Sequence, residues 1–251
     1  MPPWTNSIGR FEYTTRVNTK GGVVVKSEVA IGVLNLDAVP ERVKQEEDTP
    51  GNLSSDETFD FRLKRETVRG STPERFRAED PELIPHFVEA AKKLEARGVR
   101  AIAGDCGFIS AYQKDVARAV SVPVVTSSLI LVPLAYRMLA ENKRVGILTA
   151  NAEKLGEKQF NAVGWSSKDI PVVVKGYGQV KWDLIPTKDL VKSAKELIQE
   201  NPDVGAIVLE CSVMPHHARA VQKATGLPVF DIATLVRLVH AGVDPPDYGQ
   251  E

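Results

Sequence analysis

Cysteine is scarce in this 251-residue chain: only Cys106 and Cys211 occur. Two cysteines cannot build a disulfide framework, and the scarcity fits a reducing compartment. Histidine is nearly as scarce. His86, His216, His217 and His240 do not stand at ligand spacing with the cysteines, so no metal is expected. Excess charge is missing too, with 32 Lys and Arg against 33 Asp and Glu and a net charge of -1. No run of five like charges occurs. That balance argues against a nucleic-acid partner, which needs clustered cations to neutralise phosphate, and against a charged tail. The patterns GxxxxGKS/T, GxGxxG and HExxH are absent, and no cofactor is expected. The stretch 119–136 holds 18 uncharged residues, but Pro123, Pro133 and Thr126-Ser127-Ser128 break it into strand, turn and helix start. It therefore reads as part of a core rather than as a membrane span, and no membrane partner is expected. The opening MPPWTNSIGRFEY has no basic segment followed by an apolar run, so the expected location is cytoplasmic.

What is present is an alternation of short apolar runs with longer amphipathic ones. Strands are predicted at Val29–Asp37, Val99–Asp105, Val122–Thr126, Arg144–Thr149, Pro171–Val174, Val204–Glu210 and Pro228–Asp231. Most are nearly continuous Val, Ile, Leu and Ala, as parallel strands buried on both faces require. A helix is predicted from Asp80 to Arg97, with Asp80 as cap, Pro81 in the first turn and Gly98 as stop. The fold class is therefore α/β with parallel sheets. Residues 10–28 read as a β-hairpin around Asn18-Thr19-Lys20-Gly21-Gly22. Residues 40–58 read as a long polar loop, a common form of active-site cover.

An internal repeat organises the rest. Residues 101–130 align without a gap on 206–235 at a constant offset of 105, with seven of 30 positions identical. Chance would give about two at ordinary composition. Asp105 falls on Glu210 and Cys106 on Cys211; a weaker match lays 31–38 over 145–152. The expected organisation is an N-terminal extension (1–28), two similar αβα halves (29–126 and 127–241) related by a pseudo-twofold axis, and a tail (242–251). Terminal elements are expected to cross between the halves.

Each cysteine ends a predicted strand and precedes a helix, the edge where open α/β sheets bind ligands. The helix N-terminus there favours a thiolate. Two thiols facing one carbon from opposite sides can deprotonate on one face and reprotonate on the other, which is the requirement for racemisation without a cofactor. Three other readings stay open: buried structural cysteines, a reversible disulfide, and a carboxylate-binding protein without turnover. The absence of CxxC weighs against the redox reading.

The segments GDCGF…VPVV and LECSVMP…GLPVFDI resemble the aspartate/glutamate racemase superfamily. That group includes glutamate, aspartate and hydantoin racemases, maleate isomerase and arylmalonate decarboxylase. The resemblance spans about residues 29–236. It implies that Cys106 and Cys211 are catalytic. It also implies that Gly107, Phe108, Ser212, Thr149, Ala150 and Asn151 bind a small carboxylate, together with Asn35 and Asp37 at the end of the first strand. The implied activity is a cofactor-independent racemase or isomerase working next to a carboxylate, in a homodimer or larger homo-oligomer. The alternative is a decarboxylase or cis–trans isomerase of a small diacid. Cys211-Ser212-Val213 lacks the histidine that glutamate racemases carry after the second cysteine, and Asn35-Leu36-Asp37 replaces their Asp-Ser. Both departures point away from glutamate. Retention of both cysteines points away from decarboxylation.

Asp105 and Glu210 precede the cysteines and, by strand alternation, point away from the thiols. An acid in a buried strand needs a partner or a role, here structural pairing or tuning of the thiols. His217 reads as a capping residue or a proton relay. Asn52 and Phe59 are candidates for closing the site from the long loop. Trp4, Trp165 and Trp182 read as core or interface residues.

Overall fold

The computed structural model describes residues 19–20, 23–24, 26–37, 49–177 and 186–246. Of the expected hairpin, β1 (Thr19–Lys20), paired antiparallel with β2 (Val23–Val24), falls among them, as do residues 26–28, the last two of which open the next strand. Residues 10–18, 21–22 and 25 of the hairpin, residues 40–48 of the polar loop, Trp4 and Trp182 lie outside the described residues.

Two four-stranded parallel sheets make the body of the protein. The first has the order β4-β3-β5-β6, formed by β3 (Ser27–Leu36), β4 (Phe61–Val68), β5 (Ala101–Gly104) and β6 (Val124–Val125). The second has the order β8-β7-β9-β10, formed by β7 (Arg144–Thr149), β8 (Val172–Gly176), β9 (Val204–Leu209) and β10 (Val229–Phe230). The two orders correspond strand for strand, as the repeat requires.

The central strands are buried on both faces: Ile31, Leu34, Ile102, Ala103, Ile147 and Val208 are each 0% exposed. β4 was not predicted. Its sequence FRLKRETV buries only its ends, Phe61 and Val68, while Lys64, Arg65 and Glu66 are half-buried. It runs along a sheet edge, where a strand can carry charges that a central one cannot.

The helices are α1 (Pro73–Arg77), α2 (Ile84–Ala96), α3 (Gln113–Ala119), α4 (Val132–Arg137), α5 (Glu157–Ala162), α6 (Thr187–Glu200), α7 (Ala218–Thr225) and α8 (Ile232–Val243). The helix expected after Asp80 starts as a 3-10 turn at Pro81–Leu83, with the Asp80 carboxylate accepting from Glu82 N at 2.9 Å. It runs on as α2 and stops at Gly98, whose φ of +76° is the left-handed conformation of a helix stop.

Glycines at equivalent strand positions let these helices approach. A Cβ on Gly32 would lie 3.1 Å from Leu94, and one on Gly146 would lie 2.7 Å from Leu197. The two leucines come from α2 and α6, which cover the corresponding face of each sheet.

The opposite faces are covered crosswise. After β6, a 3-10 turn (Ser128–Leu131) and α4 bring Leu129, Val132 and Ala135 against Val145, Ile147 and Val208 of the second sheet. After β10, α8 brings Ile232, Leu235 and Val236 against Ile31, Val33 and Ala101 of the first. Counted with the strand that precedes it, each of these helices covers the other half's sheet, so the expected boundary at 126/127 falls just before the first exchanged helix, while β6 and β10 stay in their own sheets. This exchange presses the carboxyl ends of the two sheets together.

Among the described residues, no helix is long and apolar enough to cross a membrane. The 119–136 stretch is divided among β6, the 3-10 turn and α4.

Candidate active site

Strand β5 ends one residue before Asp105-Cys106, and β9 ends just before Glu210-Cys211. A 3-10 turn follows each cysteine, Gly107–Tyr112 in the first half and Pro215–His217 in the second, and leads into α3 and α7 respectively. Neither cysteine is disulfide-bonded.

The two cysteine-bearing turns touch across the halves. The Ser212 hydroxyl donates to the Asp105 carbonyl. In the mirror position, Gly107 lies so close to Glu210 that a Cβ would stand 1.9 Å from Oε1 and 2.4 Å from the carbonyl oxygen. The Ser128 hydroxyl donates to Leu209 O at 2.8 Å, tying the exchanged helix to the second turn. Phe108 packs into apolar clusters of both halves.

The acids before the cysteines are buried, with Asp105 7% and Glu210 1% exposed. Asp105 accepts from Leu36 N at 3.1 Å, at the end of the central strand of its own sheet. Glu210 Oε2 accepts from the Thr149 hydroxyl at 2.8 Å, and Thr149 Oγ1 in turn accepts from Asn151 N at 3.2 Å. Glu210 Oε1 is buried and has no hydrogen-bond partner among the described residues. Burial pushes the Glu210 carboxyl up to about 7.

The Cys106 thiol is held well above its ordinary range. Burial is the main cause, followed by like charge from Cys211, Glu210 and Asp105; a hydrogen bond from Phe108 N–H pulls the other way. This corrects the expectation of a thiol acidified by its helix. The turn does supply a donor, but desolvation of a sulfur among acids outweighs one N–H. Cys211 is half-buried, so the two cysteines are not equal.

The other expected site residues divide. Ser212, Gly107 and Phe108 lie at the paired turns, and Thr149, the last residue of β7, joins them through its hydrogen bond to Glu210. Ala150 is half-buried beside Thr149, and the Asn151 side chain accepts from Lys154 N at 3.2 Å, which fixes the turn after β7. Asn35 is half-buried in β3, with its Oδ1 buried and unpartnered among the described residues.

Asp37 is exposed and turned to the loop after β4: its carboxylate accepts from Gly70 N at 3.0 Å, and its N–H donates to Ser71 Oγ at 2.9 Å. The unpredicted strand β4 explains this, because it lays residues 70–71 beside the end of β3.

His217 is buried, shares a 2.9 Å hydrogen bond with Thr187 Oγ1, and is pulled by burial to about 4, so it is neutral near pH 7. Its neighbour His216 reaches Pro50 O at 2.9 Å, which docks the loop 49–58 onto the turn after Cys211.

In that loop Asn52 is 2% exposed and accepts at its carbonyl from the Thr58 hydroxyl. Phe59 belongs to the core instead: it stacks on Phe61 at 4.7 Å and lies 4.9 Å beneath the Arg237 guanidinium. Trp165 is likewise core, stacked on Phe160 at 4.2 Å. Sequence reasoning missed Ser128 and Ser110. Ser110, in the turn after Cys106, has a fully buried hydroxyl without a partner among the described residues.

No protein-family model matches the chain. A dimethylsulfoniopropionate lyase of Durusdinium sp. clade D is 33% identical over 218 residues, which cover 80% of this chain and 72% of that one. The chain belongs to the dimethylsulfoniopropionate lyase family. Among solved structures, unliganded arylmalonate decarboxylase matches with a TM-score of 0.60 and 15% identity, covering 87% of this chain and 94% of that one. A cysteine-to-serine mutant of Nocardia farcinica maleate cis-trans isomerase, carrying a covalently bound succinylcysteine, matches with a TM-score of 0.57 and 18% identity, over 86% and 92%. These likenesses establish the fold that the resemblance to the aspartate/glutamate racemase superfamily implied. The relatives that carry the family are named as lyases, so the isomerase class does not follow from them.

Proposed function

We propose that the chain is a lyase that cleaves dimethylsulfoniopropionate, or a close β-substituted carboxylate, by elimination. The reading rests on one observation: a chain of this family carries two unequal cysteines at the equivalent, touching ends of its two sheets.

A proton leaves the carbon next to the carboxylate and passes to the Cys211 thiolate. The electron pair left on that carbon closes a C=C bond. The bond from the β-carbon to the sulfonium sulfur breaks, and its pair departs with neutral dimethyl sulfide, leaving acrylate. The leaving group needs no proton, so one base is enough. Cys106, kept as a thiol, donates a hydrogen bond to the charge that develops on the carboxylate as the proton leaves. Backbone N–H groups of the two turns and the half-buried Asn35 and Asn151 hold the carboxylate.

A second reading, racemisation between both thiols, is favoured by the equivalent placement of Cys106 and Cys211. The two readings part in one experiment. The purified protein is incubated with dimethylsulfoniopropionate and, separately, with chiral amino acids and hydroxy acids in deuterated water. Dimethyl sulfide in the headspace is the expected result. Silence there, with α-deuteration of a chiral acid, would replace elimination by racemisation.

A further inference from the structure

We propose that Glu210 is a positioning residue that deepens the inequality burial sets between the two cysteines: reaching across from the second half to Gly107, its carboxyl helps reserve Cys106 as the proton-holding thiol. The proposal rests on the elimination reading for its purpose but stands on geometry that needs no substrate.

The two acids before the cysteines occupy equivalent positions and behave differently. Asp105 turns back to its own sheet, at Leu36 N. Glu210, one methylene longer, is gripped on one oxygen by Thr149 and presents the other to the first half, against Gly107. The room for that oxygen exists only because residue 107 is glycine. Ser212, at the position equivalent to Gly107, instead spends its hydroxyl on the Asp105 carbonyl. The contact therefore runs one way, from the second-half acid to the first-half cysteine turn.

A negative charge there, in a dry site, disfavours a second negative charge on Cys106. The ionisable groups around Cys106 are Cys211, Glu210 and Asp105, and each opposes its thiolate. Burial keeps Glu210 exchangeable with its neutral form near pH 7. The cysteine turn thus senses a proton held one residue from the other cysteine. Proton transfer to Cys211 and the state of Cys106 are coupled through this carboxyl.

The test is alkylation by iodoacetamide across pH 6–10 in the substrate-free protein, with labelling of the Cys106 and Cys211 peptides followed separately by mass spectrometry. Glu210→Gln keeps the shape and an oxygen for Thr149 while removing the charge. It should raise the rate at Cys106 by about three- to tenfold at pH 8, a shift of up to about one unit in the thiol's titration, and change Cys211 less. Thr149→Val removes the hydroxyl that steadies the carboxylate, and should raise the Cys106 rate by a smaller factor in the same direction. An unmoved Cys106 profile in a folded Glu210→Gln protein, or an equal shift at both cysteines, would overturn the proposal. No turnover is read, so a failure of the lyase reading leaves this result standing, and the reverse also holds.

Discussion

The two halves share a scaffold and differ at the positions that face one another. Strand orders correspond, equivalent glycines Gly32 and Gly146 admit equivalent leucines, and each half covers the other's sheet with the helix after its last strand. At the strand ends the likeness stops. Gly107 corresponds to Ser212, Asp105 to Glu210, and a buried Cys106 to a half-buried Cys211.

One turn further on, Gln113 plugs the edge of the first sheet. It donates to Val124 O at 2.8 Å and accepts from Thr126 N and Oγ1 at 2.9 and 2.7 Å. Ala218 stands at the equivalent place in the second half, where Asp231, Arg219 and Arg237 help line a cavity of about 450 Å³. Apolar packing conserves a repeated fold because it depends on volume and periodicity. Polar contacts are particular to each partner, and they are where the two copies have diverged.

The largest break in the comparison should come from Gly107→Ala. Its Cβ would fall inside the Glu210 carboxyl, and the expected loss is about 3 kcal/mol or more in urea unfolding. Ser212→Ala, the equivalent position, removes one hydrogen bond and should cost only about 1 kcal/mol. Equal costs would mean that the two turns meet symmetrically.

Glu210 gives the next effect, visible in stability against pH. Its folded-state carboxyl titrates near 7, above the ordinary 4.5, so the native state favours the proton. That stability is complete below about 4.5 and is lost as pH rises through 7. Glu210→Gln removes the dependence. The variant should gain on the parent between pH 4.5 and 8 by on the order of 2–3 kcal/mol, read from unfolding midpoints at each pH. A flat difference would mean that Glu210 is charged throughout.

The plug gives the smallest. Gln113→Ala should cost about 1–2 kcal/mol, because it leaves Val124 O and Thr126 N without their partner. Ala218→Gln should change stability by less than about 0.5 kcal/mol, because the cavity accepts the side chain without displacing neighbours. A large cost for Ala218→Gln would show that the cavity is not open to a side chain.

The repeat, read at an offset of 105 in the sequence alone, carried most of this. It placed both cysteines at strand ends, and near-continuous Val and Ile runs gave the central strands of both sheets. β4 escaped because an edge strand needs no apolar run, and the bonds of Asp37 to residues 70–71 escaped with it, since β4 decides what lies beside the end of β3. The acidity of the Cys106 thiol was also illegible. A helix N-terminus shows in local sequence, whereas the burial that overrides it at Cys106 is set by tertiary packing, and part of the opposing charge comes from Glu210, 104 residues away, where it meets Gly107. No local pattern encodes that meeting.

A single base at Cys211 makes Cys106 and Cys211 unequal in turnover. The measurement is the rate of dimethyl sulfide release from dimethylsulfoniopropionate by Cys106→Ser and Cys211→Ser, each checked for native fold. Loss of the base should lower the rate of Cys211→Ser by about a thousandfold or more, whereas Cys106→Ser, which keeps a hydroxyl donor, should fall by about ten- to a hundredfold. Equal losses in the two variants, or full turnover in Cys211→Ser, would contradict a single base at Cys211.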